Sequence, residues 1–229
     1  MKKLILSLAA ITICSFAANS QRLMDKLDPT SSGALFRSDV LNKKDLAKIE
    51  GYSLLDTEFR LADITGINQQ VLARYNAFTD MVEVQNEKKE VFSLMKKEPF
   101  TTISIAPFLD KIKLVKYTTK EGVVEGYLVE LFAKNNIILY RKEKIILQKG
   151  KEAVNSYSPA TPAKYVKAAD EYFVSVRNET AVTMPKNKKE MLLLFPEKAN
   201  EITNYLKKND FSIKDETSVL NMVRFLAGS

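Results

Sequence analysis

The densest group of polar and aromatic residues in this 229-residue chain is Arg74-Tyr75-Asn76, followed closely by Asp80 and Glu83. An arginine there can grip a carboxylate or phosphate with its planar fork of donors, a tyrosine can stack, and an asparagine can both donate and accept. The five residues therefore qualify as a binding patch. They also have a structural reading, in which Arg74 pairs with Asp80 or Glu83 across a bent strand and Asn76 serves a bulge or turn. The structural reading is preferred.

The carboxylates Asp56, Glu58, Asp80, Glu83 and Asp110 could furnish an acid/base pair of the glycosidase kind, but no spacing singles out two of them. Calcium-loop, glycine-rich phosphate-loop and nucleophile-elbow patterns are missing. Histidine is absent, which removes Ser-His-Asp and Cys-His catalysis and nearly every zinc, copper or haem site. Tryptophan is absent as well, although nine Tyr and twelve Phe can stack in its place. No catalytic residue, cofactor or metal ligand is therefore assigned.

Lys186, Lys188 and Lys189, with Lys207 and Lys208, could form a basic face for anionic lipid or polysaccharide. A solvated helix surface is the preferred reading of that run. Asn178-Glu179-Thr180 matches a glycosylation sequon, a tripeptide that arises often by chance.

The N-terminus has the order of an export signal. Lys2 and Lys3 precede an uncharged, mostly apolar run from Leu4 to Ala18, too short for a comfortable membrane span. Ala18-Asn19-Ser20 places small residues where a signal peptidase inspects them, so residues 1–20 read as a signal peptide cleaved after Ser20. A retained anchor is a rival reading. Lipidation at Cys14 is another, but Ile13 is not the small residue a lipoprotein signal needs, and Cys14 lies inside the apolar run. The expected location is periplasmic or cell-surface associated, with no transmembrane helix after cleavage.

Cleavage would leave 209 of the 229 residues, enough for one domain or two small ones. It would lower the formal charge from +7 to +5 and remove the one cysteine. That balance is moderately basic and lacks the dense stripe of a nucleic-acid binder.

The elements that must position any site follow from periodicity. Residues 21–50 read as a lead-in with a short helix near Asn42 to Gly51. Residues 51–150 carry short β-branched and aromatic runs separated by turn signals: Val71 to Val84 broken near Asn76, Val91–Leu94, Phe100–Ile105, Ile112–Thr118, Val123–Ala133, Ile137–Tyr140 and Lys144–Leu147. Asn135-Asn136 suits a tight hairpin, because asparagine tolerates positive φ. Short turns between short strands imply antiparallel pairing, since parallel pairing needs long crossovers.

Lys149 to Lys164 reads as a connector, with residue 155 the natural point of division. Residues 151–229 then supply one more hairpin, Tyr172–Val176 and Thr180–Met184, and C-terminal helices. Asn187 and Glu190 have capping-box spacing, Pro196 divides two helices, and Val219, Met222, Val223 and Leu226 repeat at helical spacing. The expected fold is α+β: an antiparallel β-meander sheet, able to curve, followed by a small C-terminal helical cap in one unit with it.

Asp56-Thr57-Glu58-Phe59 and Arg74-Tyr75-Asn76-Ala77-Phe78-Thr79-Asp80-Met81-Val82-Glu83-Val84 resemble a set of exported proteins common in Bacteroidota. Tyr172-Phe173-Val174, Lys188-Lys189-Glu190 and Ile202 to Asn209 resemble them too. The similarity runs loosely from Gly51 to Leu226 and is most specific in the Arg-Tyr-Asn segment. Where those proteins usually carry a paired aromatic near the end, this chain has Arg224-Phe225. The resemblance implies an antiparallel sheet with C-terminal helices and a periplasmic or surface location, and it brings no activity or catalytic residues.

The leading functional expectation is an exported, non-catalytic binding or structural module of the cell envelope, with an envelope protein or lipid as partner and no nucleic acid. One alternative is a periplasmic carrier of a lipid or other apolar ligand, with the sheet as cup and the helices as lid. Another is an enzyme without His or Cys chemistry. A carrier needs a deep apolar pocket between sheet and helices, an interaction module a filled core and exposed patch, and an enzyme converging carboxylates, lysine or tyrosine in a cleft.

Overall fold

Alternation of apolar and polar residues in short runs makes the first half of the chain a sheet. In the computed structural model the described residues are 36–37, 50–107, 110–151 and 160–228. The expected signal peptide, Cys14 and the short helix near Asn42 lie outside them.

Thirteen strands are described: β1 (Phe36–Arg37), β2 (Arg60–Ile64), β3 (Val71–Asn76), β4 (Met81–Gln85), β5 (Val91–Leu94), β6 (Thr102–Ile105), β7 (Lys111–Thr119), β8 (Gly122–Lys134), β9 (Ile137–Lys142), β10 (Ile145–Gln148), β11 (Lys164–Lys167), β12 (Glu171–Val176) and β13 (Val182–Thr183). Eleven form one sheet in the order β1-β5-β4-β3-β2-β6-β7-β8-β9-β12-β13, and β10 pairs with β11. All these strand pairs are antiparallel.

The sheet is two meanders joined back to back. The chain walks outward from β2 to β5, returns to the other side of β2 as β6, and walks away again to β9. Asn135 and Asn136 close the β8–β9 hairpin at φ 49° and 60°, the left-handed values a tight turn of this hand requires. Arg177 and Asn178 do the same after β12, at φ 56° and 61°.

Two departures from the expected order matter for the site. First, the connector expected over Lys149 to Lys164 gives way at its end to β11, which pairs with β10. Second, the segment entering β13 returns to β7: Ala181 N–H donates to the Lys116 carbonyl at 3.0 Å, and Thr118 N–H to the Ala181 carbonyl at 2.8 Å. This parallel bridge curls the second meander into a ring around Tyr117, Leu128, Tyr140, Phe173 and Ala181.

Three helices follow: α1 (Lys188–Leu194), α2 (Ala199–Lys208) and α3 (Glu216–Leu226), with a 3-10 turn at Pro196–Lys198. Asn187 caps α1 by accepting from Glu190 N–H at 3.0 Å. Asp215 caps α3 by accepting from Thr217 and Ser218 N–H, both at 3.2 Å. Met191, Phe195, Ile202, Val219, Met222, Val223 and Leu226 are at most 1% exposed, so the space between helices and sheet is filled with side chains. The molecule is an α+β fold, a large curled antiparallel sheet with a small C-terminal helical cap.

Candidate functional site

The β3–β4 hairpin carries all five residues of the polar and aromatic cluster, and strand alternation divides them between two faces. Arg74, Asn76 and Glu83 stand on the outer face. Arg74 and Glu83 are register partners, and their guanidinium–carboxylate contacts measure 2.7 Å. The rest of the arginine is engaged as well: Nη1 donates to the Thr57 carbonyl at 2.7 Å, and the guanidinium lies 4.1 Å from the Phe59 ring centroid. Asn76 donates to Glu83 Oε1 at 2.7 Å while its Oδ1 accepts from Phe78 and Thr79 N–H at 3.1 Å each. The outer trio thus shapes the hairpin and its turn.

Tyr75 and Asp80 point the other way and meet residues that the local sequence does not single out. Asp80 sits at φ 56°, a left-handed conformation that Asp tolerates better than most residues. That geometry sends its carboxylate towards the ring formed by β7, β8, β9 and β12. Oδ1 accepts from Lys142 Nζ at 2.5 Å, Tyr75 Oη at 2.8 Å and Tyr127 N–H at 3.2 Å. Oδ2 accepts from Lys96 Nζ at 2.7 Å.

Lys142 is only 7% exposed. Its ammonium has three protons and three acceptors: Asp80 Oδ1, the Tyr127 carbonyl at 3.0 Å and Tyr75 Oη at 3.3 Å. The Tyr117 ring lies alongside, 5.8 Å away. Gly126 makes room for this arrangement, because a Cβ there would stand 2.5 Å from Asp80 Oδ2 and 3.2 Å from the Tyr117 ring. The group is a clasp that ties the tip of the first meander to the second, reinforced by Ile145 N–H donating to the Ala77 carbonyl at 3.2 Å.

Electrostatics agree with a structural role for the clasp. Burial pulls the Lys142 ammonium below the usual lysine value, against the opposing attraction of Asp80. Burial, and then the Asp80 charge, push the Tyr75 phenol well above its ordinary value and raise Tyr117 to about 12. Tyr140 and Tyr172 are raised to about 12 as well, by burial first. All four phenols therefore stay neutral at physiological pH and make poor bases or nucleophiles.

These shifts carry a sign. A tyrosine whose folded pKa exceeds its unfolded one keeps a proton that the unfolded chain releases, so its contribution is full below about pH 10 and is lost towards pH 12. The urea midpoint is expected to fall steeply over that window. Phenolate absorbance should rise late in the folded protein and at ordinary pH in the urea-unfolded one. Coincident titration curves would contradict the burial of these phenols.

The second feature is a cavity of about 500 Å³ between the two meanders, lined from β2 and β3 of the first and from β6 to β9 of the second. Its apolar lining comes from Leu55, Tyr75, Ile105, Ile112 and Val129, inward-facing residues of successive strands and the segment before β2. Charged residues frame it, and all but Asp110 are already paired with described residues. Arg60 bonds Asp56 at 2.7 Å and Glu58 at 2.9 Å. Arg141 bonds Glu216 at 2.6 Å and Glu143 at 3.0 Å. Asp110 also lines the cavity, so three of the carboxylates considered for acid/base work come together there, but Asp56 and Glu58 share one arginine.

A hollow of about 480 Å³ on the far side of β7 is more polar and more open, and Lys113 within it pairs with Glu130. Sequence reasoning missed Lys142, Lys96, Tyr127 and Gly126. The one available signal was parity, which puts Lys142 on the same face of β9 as Ile138 and Tyr140. Comparison with protein-family models, curated proteins and solved structures gives no match.

Proposed function

We propose that this protein is an exported, non-catalytic binding module of the cell envelope, and that the cavity between its two meanders is its binding site. The observation that carries the reading is a cavity of about 500 Å³ whose apolar lining is framed by charges that, Asp110 apart, are already paired. Its size falls in the range of pockets that take a small ligand or the side chains of a peptide. Because Arg60, Arg74 and Arg141 already hold carboxylates, the cavity favours an uncharged or zwitterionic apolar group. Affinity then comes from burying the ligand's apolar surface.

Export rests on the order of charges, apolar run and small residues in the first twenty positions. The resemblance of the Arg74 to Val84 segment to exported proteins of Bacteroidota supports the same location. The filled space between helices and sheet favours this module over a carrier that shelters its ligand beneath the helical cap. The fully bonded Asp80–Lys142 pair offers neither a free acid nor a free nucleophile, which favours binding over catalysis.

Titration with N-phenylnaphthylamine, an uncharged fluorophore that brightens in apolar surroundings, tests the reading. Saturable enhancement with one site per chain is the expected result. No enhancement, or a linear rise without saturation, would contradict it.

A further inference from the structure

Helix α1 contains an exposed leucine where its amphipathic pattern has no need of one. Met191 fills the core-facing side and is fully buried, whereas Leu193 is 76% exposed. Leu192 is half-buried, and Lys188 and Lys189 stand one turn before Leu192 and Leu193, at the spacing that makes side chains neighbours along a helix. These four side chains frame a shallow hollow at the surface.

The charges around this hollow are unbalanced. Lys186, Lys188 and Lys189 form no ion pair with any described residue. Glu190, the one acid within α1, is turned back into the helix cap, where its oxygens accept from Lys186 N–H at 2.8 Å and Asn187 Nδ2 at 2.6 Å. An exposed apolar tip ringed by unpaired ammonium groups is complementary to one kind of surface, a bilayer bearing anionic headgroups.

We infer that the α1 face docks on an anionic phospholipid surface, with Leu193 entering the interface and Lys186, Lys188 and Lys189 meeting the headgroup phosphates. Lysine stems can lie along apolar material while their ammonium groups stay with the headgroups. Each lysine near such a surface adds attraction that salt weakens. The docking is peripheral, since no helix among the described residues is long and apolar enough to cross a membrane. It is independent of the cavity between the meanders, so either proposal can fail while the other stands.

The test is cosedimentation of the folded protein with vesicles of phosphatidylcholine alone and of phosphatidylcholine with phosphatidylglycerol. Binding is expected only to the second, and raised salt should reduce it. Leu193→Asp should weaken it by about tenfold or more, the loss of one buried leucine side chain, with an unchanged circular dichroism spectrum. A Lys188→Glu/Lys189→Glu variant should lose it altogether. Failure of the wild type to bind phosphatidylglycerol vesicles would overturn the inference. So would wild-type binding by Leu193→Asp, which would mark the lysines as general attractors of polyanions.

Discussion

Replacing Asp80 with alanine is expected to destabilise the protein by roughly 3–5 kcal/mol, because it leaves a buried charge without its counterion. Lys142 is 7% exposed and would keep only two neutral acceptors, the Tyr127 carbonyl and Tyr75 Oη. The reverse truncation, Lys142→Met, should cost less. Asp80 would then retain Lys96, Tyr75 and the Tyr127 N–H, and its side chain is 24% exposed.

The asymmetry yields a sharper expectation for the double variant. Asp80→Ala/Lys142→Met should be more stable than Asp80→Ala alone, since the orphaned ammonium goes with its partner. The loss in Asp80→Ala should also shrink as pH rises towards about 9. A buried lysine without a counterion sheds its proton in the folded state before it does so unfolded, so the unfolded chain binds more protons and stability climbs with pH. Urea denaturation followed by circular dichroism at neutral and alkaline pH measures all four effects. A double variant no more stable than Asp80→Ala would mean that the clasp is not an interacting pair.

The second large effect lies at the helical cap. Phe195 is 1% exposed at the junction between α1 and the 3-10 turn, packed in one cluster with residues of β8, β9 and β12. Phe195→Ala should cost about 3–5 kcal/mol, combining the lost transfer energy with the cavity left behind. The surrounding residues cannot easily collapse into that space, because Met191, Ile202, Met222 and Val223 are fully buried. A loss below about 1 kcal/mol, the range of ordinary surface changes, would show that the helices rest loosely on the sheet. It would also restore a sheltered ligand beneath the cap as a competing account.

Much of this fold is legible in the chain because its signals are local. Asn135-Asn136 announces a hairpin by the φ values asparagine tolerates, and Asn187 with Glu190 announces a helix start. Strand boundaries over 71–142 follow from runs that alternate or break at Asn76, Asn86 and Gly122. What escaped depends on distant pairing. β11 is only four residues long, begins and ends in lysine, and follows two prolines, so nothing in it alternates clearly enough to mark a strand. The return of Ala181 to β7 is a single parallel bridge across more than sixty residues.

The same distinction divides the site. Arg74 and Glu83 lie nine positions apart on neighbouring strands, and their pairing is a short-range expectation that geometry expresses directly. Asp80 and Lys142 are 62 positions apart, and they meet only because the β2–β6 pairing joins the two meanders in one curled sheet. The cavity draws on residues from 55 to 167, and no spacing along the chain could reveal it.

Binding of an apolar group in the cavity between the two meanders is tested most directly by one paired titration. Ile105 lines that cavity but is only half-buried, so Ile105→Trp should fill the space and leave folding intact. N-phenylnaphthylamine should bind the wild type saturably and Ile105→Trp at least about tenfold more weakly, as when one buried side chain's worth of contact is lost, with equal urea midpoints. Equal binding by the two proteins would place the ligand elsewhere and contradict binding in this cavity.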